Sequence, residues 1–587
     1  MRRAPVIFLL AAGLCVAQPA DVMLRALTDE MKRAASELHL EDLPRPYYVD
    51  YMVLDNDTYS GAAVFGGLAR SRRYQSRSQH VNVRVGDYRL DNTNFTGSGF
   101  RPSYDIYSLP FEDDYAVLRR HFWLSADEAY KGAVESLARK RAALRNINLP
   151  VRLNDFAKQP PVEYLQPHAK LSVDQKAWEG RLREFSALFK QYPRIIRSRV
   201  EVEASAGTRY FVSSEGSTVR DPEVLYLLQA FATAQSADGT RLSDAVWIAA
   251  RREDQVGAPA ALRSQIQDMA QRLSTLAEAS TLDNYSGPVL FEKTAAAQIF
   301  AEMLGRNLAI TRQPLSAGRG GMLAARAGGI GGALDARRKS RILPEWIDVT
   351  DDPTQTEWRG QPLLGHYELD LEGVRARRVD VIQRGVLENY LLSRLPVRGF
   401  EGSNGHGRLP GPAGTSYAMP GNLFIQARQT VSEADLKKQL IDICRAQDRE
   451  FGLLIRKMDF PSAAAAEDLR NMFSGQGQDQ TPTSMPLAVY KVYVADGHEE
   501  PVRGLRFHGF SVRSLKDIIA ASDTPTVFHF IDTGAAFPQL EGSYGAETSV
   551  IAPSVLIDDV ELRGGEEQRP NLPIVPHPYF SAARGSD

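Results

Sequence analysis

"GPVLFEKTAAAQIFAEML", Gly287 to Leu304, is the stretch on which the reading of this chain turns. Pro288 to Phe291 forms a short apolar strand signal, and an alanine-rich run reading as helix follows it. Glu292 and Lys293 stand at the junction. Charged groups at a strand-to-helix turn are well placed for chemistry. The stretch therefore holds an active site, or keeps the framework of one whose function lies elsewhere.

Downstream, Pro314 to Arg341 mixes glycine with arginine without periodicity and reads as a mobile loop. Strand patterns then dominate: "GHYELDLEGV", "RRVDVIQRGVLENYLLSR", "GNLFIQARQ", "LAVYKVYVADG", "TVFHFID" and "SVLIDDVEL". A helix capped by Ser432 with Asp435 interrupts them, and the segment starting at Ala463 reads as a surface insertion. Residues 285–563 are expected to form an α+β domain on a large, mainly antiparallel sheet, with 564–587 as a tail.

Upstream, residues 21–280 read as a first α+β domain. An amphipathic helix spans Asp21 to Leu40, and strands follow in "PYYVDYMVLDND", "GAAVFGGLARSRR" and "QHVNVRVGDYRL". Two helices are expected to open at capping boxes, Ser125 with Glu128 and Ser172 with Gln175. Next comes a strand pair turning at Ala206-Gly207, then a helix from Ala260 to Ser280.

The chain has 587 residues, too many for one core. Seventy basic residues against 72 acidic ones leave no global field to draw nucleic acid. Arg2 and Arg3, the apolar run Val6 to Ala17 and the small-residue end Cys15-Val16-Ala17 read as a signal peptide over residues 1–17, implying export to the periplasm or the medium. The remaining cysteine, Cys444, shares an apolar helix side with Leu436, Leu440 and Ile443, and is expected to be a core thiol. No later segment is apolar for long enough to span a membrane.

Common catalytic patterns are missing. The ten histidines are scattered, with no pair at the spacing that lets two imidazoles share one ion. There is no G-x-S-x-G elbow and no Walker loop. Asp351-Asp352 and Asp558-Asp559 read as solvated turns. "FEGSNGHGRLPGPAGTSYAMPGNLF", Phe400 to Phe424, gathers Asn404, His406, Arg408, Ser416 and Asn422 in a glycine and proline framework. Those donors converge on a peptide or carboxylate, or they satisfy the loop's own backbone.

The order of motifs resembles the TldD/PmbA family, in which TldE is another name for PmbA. The resemblance rests on "YFVSSEG" at 210–216, "GPVLFE" at 287–292, "VTDDPT" at 349–354, "ELDLEGVRARRVDVIQRGVLENYLLSR" at 368–394, "SNGHGR" at 403–408 and "GNLFI" at 421–425. It implies a two-domain fold and a paired assembly of a zinc peptidase with a related chain lacking metal ligands. In the peptidase, a strand like "GPVL" leads into a helix bearing H-E-x-x-x-H, and a later cysteine completes the site. Here those positions are Glu292, Lys293 and Ala297, and no cysteine follows Cys444.

The resemblance is thus to the PmbA-like member. It implies a non-catalytic, peptide-binding or regulatory subunit of an exported metallopeptidase complex that degrades unfolded peptides. Asn404, His406, Arg408 and Asn422 would line the peptide path, with zinc confined to a TldD-like partner and no cofactor in this chain. Two alternatives stand beside it: a peptidase with a rearranged site using Glu292 with His406 or His366, and a stand-alone homodimeric peptide-binding protein.

Overall fold

A hairpin of unusual length organises the N-terminal half. In the computed structural model, which describes residues 21–96, 109–145, 152–312, 314–316, 332–411, 414–460, 484–532 and 545–564, strand β1 (Pro46–Val64) turns through Phe65 and Gly66 into β2 (Gly67–Val85). Both turn residues have positive φ, 46° and 84°, as a two-residue hairpin with right-handed strand twist requires. Two further long strands, β3 (Ile195–Ser213) and β4 (Thr218–Gln235), extend the sheet in the order β2-β1-β3-β4. The outer edge of β4 is shared by Glu163–Leu165 and by β5 (Arg241–Ala250).

One face of this sheet is apolar at its two ends, and four helices cover it. Val49, Tyr51 and Val53 pack with Met23, Leu27, Phe122 and Tyr130 of helices α1 (Val22–Glu37) and α2 (Tyr115–Leu144). Tyr59, Val200 and Leu228 pack at the other end with Trp178 and Phe185 of α3 (Gln175–Ala187) and Leu262 and Met269 of α4 (Pro259–Glu278).

Local chemistry differs from the sequence reading at three points. The two helices open at Asp114 and Asp174, whose carboxylates accept first-turn N–H groups. Ser125 lies inside α2, donating its hydroxyl to the His121 carbonyl, and Ser172 is not the cap. Ala206-Gly207 is no turn: β3 runs straight through it. Gly207 is required because a Cβ there would stand 1.7 Å from the Asn56 Oδ1 of the neighbouring strand. "PYYVDYMVLDND", "GAAVFGGLARSRR" and "QHVNVRVGDYRL" likewise make two strands rather than three, since the polar middle of β1 is paired on both edges.

The C-terminal half has two sheets. Strand β6 (Asn284–Phe291) leads into the short helix α5 (Thr294–Phe300), followed by β7 (Ile347–Asp351), β8 (Val379–Gln383) and β9 (Asn422–Ala427). Helix α6 (Glu433–Ala446) comes next, with Ser432 as its cap. Strands β10 (Phe451–Met458), β11 (Pro486–Tyr493), β12 (Glu499–Arg503), β13 (Thr526–Asp532), β14 (Ala546–Ala552) and β15 (Val555–Gly564) complete the half. One sheet runs β8-β7-β9-β14-β13, and the other β15-β6-β10-β11-β12, each extended by short edge strands.

Helix α5 is buried between these sheets. Val289 and Phe291 of β6 point into the same core as Ala295, Ala296, Ala297 and Phe300, while Leu290 points to the opposite face and packs under Leu436, Leu440 and Cys444 of α6. Gly452 permits that contact, because a Cβ there would lie 2.7 Å from Leu440 and 2.8 Å from the Cys444 sulfur. The fold is α+β with large, mainly antiparallel sheets, as expected. The leader expected at 1–17, residues 317–331 of the glycine-arginine loop, the expected insertion from Ala463 as far as residue 483 and the expected tail beyond Gly564 lie outside the described residues.

The halves meet at the uncovered face of the N-terminal sheet. Leu369 packs there on Met52, Phe211 and Val219, and Arg209 donates to the Leu369 and Asp370 carbonyls at 3.0 and 2.9 Å. Arg394, 1% exposed, grips both Glu215 carboxylate oxygens at 2.8 Å and stacks on Phe156. Arg394→Ala leaves Glu215 buried without its cation. It should lower unfolding stability by about 3–5 kcal/mol, read as a shifted midpoint in denaturant.

Candidate functional site

The junction that opened the sequence reading is filled. The Glu292 carboxylate accepts from Arg456 Nε at 2.7 Å, and Arg456 continues to Glu499, which also holds Lys437. Lys293 is exposed, has φ of +47° and donates its backbone N–H to Ser554 Oγ at 2.8 Å. Ala297 is fully buried in the core between the sheets. Gln298, the next residue, donates to the Met458 carbonyl and accepts from the Met458 N–H, locking the helix to the end of β10. A carboxylate held by a guanidinium, an ammonium group and a buried methyl make no donor set for zinc. Among the described residues, no group of three or more His, Cys, Asp or Glu is placed to hold a metal ion.

The second candidate region is the loop from residue 400 to 424. The His406 ring is completely buried, with Nε2 3.0 Å from Asp351 Oδ1 and Nδ1 3.0 Å from Asn404 Oδ1. Asn404 also accepts from the Leu392 N–H and donates to the Tyr390 carbonyl. Asp351 accepts the Gly421 N–H with both oxygens, and Asn422 donates to the carbonyls of Asp352 and Gln355. Arg408 is half-buried, lies over the Tyr367 ring at 4.4 Å and donates to the Pro420 carbonyl.

The structure therefore brings Asn404, His406, Arg408 and Asn422 into one loop assembly, but spends Asn404, His406 and Asn422 on the loop's own shape. Asp351 and Asp352 are buried, contrary to the solvated turn read from "VTDDPT": Asp351 is the acid around which the loop is folded. Glu292 and His406 share no hydrogen-bond partner, and His366 donates to the Pro353 carbonyl instead.

A polar cavity of about 60 Å³, room for a few waters, lies where this loop meets the N-terminal sheet. Its floor is made of cross-strand pairs on β1 and β2, Tyr48 with Arg84, Asp50 with Asn82 and Met52 with His80. Glu372 and Ser416 contribute to its roof. Burial pushes the Asp50 carboxyl up and the His80 imidazole down. Burial, reinforced by the charge of Glu372, pushes Asp370 up to about 7, and burial raises Glu372 as well. Sequence reasoning missed these groups, although "ELDLEG" places two carboxylates one residue apart beside a glycine, a pattern of turns. A second cavity, about 160 Å³, opens on the outer face of β7 and β9 between Trp358, Phe424, Asp352 and Arg378.

Two mixed sheets thus enclose the strand-to-helix junction and its buried helix. Residues 284–564 match the model of the PmbA/TldA metallopeptidase C-terminal domain, so the C-terminal half of the chain belongs to that domain family. Solved structures share the fold over nearly the whole chain. TldE from Thermococcus kodakarensis aligns with a TM-score of 0.54 at 12% identity, covering 92% of this chain and 100% of its own. A candidate modulator of DNA gyrase from Thermotoga maritima MSB8 aligns at 0.54 and 16%, covering 88% and 96%. Another from Bacteroides thetaiotaomicron VPI-5482 gives 0.52 and 13%, covering 92% and 98%. No curated protein matches the sequence significantly.

Replacing His406 by Ala leaves the buried Asp351 with the Gly421 N–H as its remaining hydrogen-bond donor among the described residues. The expected cost is about 3–5 kcal/mol, with loss of protease resistance in the 400–424 loop, measured by denaturant unfolding and limited proteolysis.

Proposed function

We propose that this chain is the metal-free member of a two-component peptidase: an exported, non-catalytic subunit that holds unfolded peptides for a TldD-like partner. The observation that carries the reading is the junction, where Ala297 is core and Glu292 is committed to Arg456. In this reading the strand-to-helix framework persists while Glu292, Lys293 and Ala297 offer no imidazole for zinc. Likeness to TldE in fold supports the choice of member, and the leader-like residues 1–17 support export.

Peptide holding rests on extended backbone pairing along a sheet edge, with few side-chain anchors, a mode suited to unfolded chains. In this reading Arg408, half-buried on Tyr367, meets the peptide, and Asn404, His406 and Asn422 keep the loop that bounds its path in shape.

The test is a peptidase assay on a reduced, unfolded protein substrate, with the mature chain alone and with a purified H-E-x-x-x-H partner. Binding without cleavage is expected from the chain alone, and cleavage only from the mixture. Cleavage by the isolated chain that is abolished by Glu292→Gln would assign catalysis to this subunit and overturn the reading.

A further inference from the structure

Beside the polar cavity, two carboxyl groups are packed together where the N-terminal sheet, the 368–374 turn and the 403–418 segment converge. Asp370 Oδ1 accepts from the N–H groups of Glu372 and Val374 at 2.9 and 2.8 Å, and Oδ2 accepts from Gly407 at 3.0 Å. Glu372 Oε2 accepts from the Arg394 N–H at 2.6 Å. Both carboxyls crowd Gly407. A Cβ on that residue would stand 2.5 Å from Glu372 Oε2 and 3.2 Å from Asp370 Oδ2.

Among the described residues neither carboxyl forms an ion pair with a lysine or arginine, although the charges of Arg394 and Arg84 act on Glu372. The surrounding cations are committed: Arg84 to Asp91, Arg394 to Glu215, and Arg209 to Asp221. From β1, Asp50 adds a third buried acid across the cavity, and His80 of β2 faces it. Tyr48 of β1 and Tyr367 complete the titratable neighbours; burial raises both hydroxyls, so neither supplies a charge. Two like charges this close in a poorly solvated seam repel strongly, and one shared proton removes the repulsion.

We propose that the Asp370–Glu372 carboxyl pair is a proton-operated latch. With a proton shared, it fastens the short hairpin of Gly407–Pro410 and Ser416–Ala418 and the Arg394 backbone to the 368–374 turn; once that proton is lost, the seam loosens and the cavity behind it opens. This inference is independent of the peptidase reading. The direction of the elevated Asp370 pKa, a carboxyl raised by burial and by Glu372, agrees with it. The sign follows from linkage: the closed seam binds the proton more tightly than the open one. Stability is therefore full below the ordinary value of 3.8, falls as pH rises and levels off above about 7.

The experiment is amide-resolved hydrogen exchange on the full mature chain across that range, corrected for the intrinsic pH dependence. The Gly407 and Arg394 amides, which donate to the two carboxyls, should show opening that grows by up to roughly tenfold per pH unit and then plateaus. Glu372→Gln keeps the acceptor for Arg394 and adds a permanent donor toward Asp370; it should flatten the profile while the wild type retains it. Wild-type opening that is independent of pH overturns the latch, whether or not the variant folds. A profile unchanged in Glu372→Gln overturns it as well.

Discussion

The turn at residues 368–374 is the constraint on which the rest of the molecule depends. Leu369 fills an apolar site on the N-terminal sheet, Arg209 takes its two carbonyls, and Gly373, at φ +73°, lies against the Phe211 ring, where a Cβ would stand at 2.7 Å. On its other side the same turn holds Gly407 and Arg394 through Asp370 and Glu372. Arg394 then returns to the N-terminal half through Glu215 and Ala157. Buried hydrogen bonds and charges that join the halves converge on this turn, while ion pairs such as Lys457 with Asp244 and Arg251 with Glu547 join them elsewhere. Such a seam is specific in geometry and sensitive to the loss of any one partner.

That arrangement makes sense of the loop at 400–424. A long, glycine-rich and proline-rich segment has little regular structure to hold it. Its shape comes instead from one buried acid, Asp351, with His406 and Gly421 around it, and from Asn404 and Asn422 reaching back to main-chain groups. The junction at Glu292 shows the opposite solution. There α5 is held by close packing of alanines between two sheets, and Glu292 sits outside in an ion-pair chain with Arg456, Glu499 and Lys437. A helix clamped by its small residues presents a fixed frame whatever the residues at its mouth.

The class of fold was legible in the sequence because its signals are local: alternation in β1 and β2, the Ser432 cap, and the strand-to-helix switch after Phe291. Serines resembling caps misled at Ser125 and Ser172, since a capping pattern does not say whether a nearby aspartate caps first. Gly207 misled because its reason is a contact with Asn56, on a strand some 150 residues away in sequence. The loop residues Asn404, His406, Arg408 and Asn422 could be picked out as a group, but not their partner. Asp351 looks solvated in "VTDDPT" until β7 and β9 pair and place it under His406. Asp370 and Glu372 escaped notice for the same reason: burial, which gives them their chemistry, is a tertiary property.

As the proposed metal-free member of a two-component peptidase, this chain would bind no zinc, and that expectation decides the functional reading. It is tested most directly by the zinc content of the purified mature chain, measured by elemental mass spectrometry before and after separation from whatever co-purifies from the native host. No more than trace zinc is expected in this chain, with any stoichiometric metal travelling with the proposed partner. Near-stoichiometric zinc retained by the separated chain, and lost on substitution of Glu292, would contradict it.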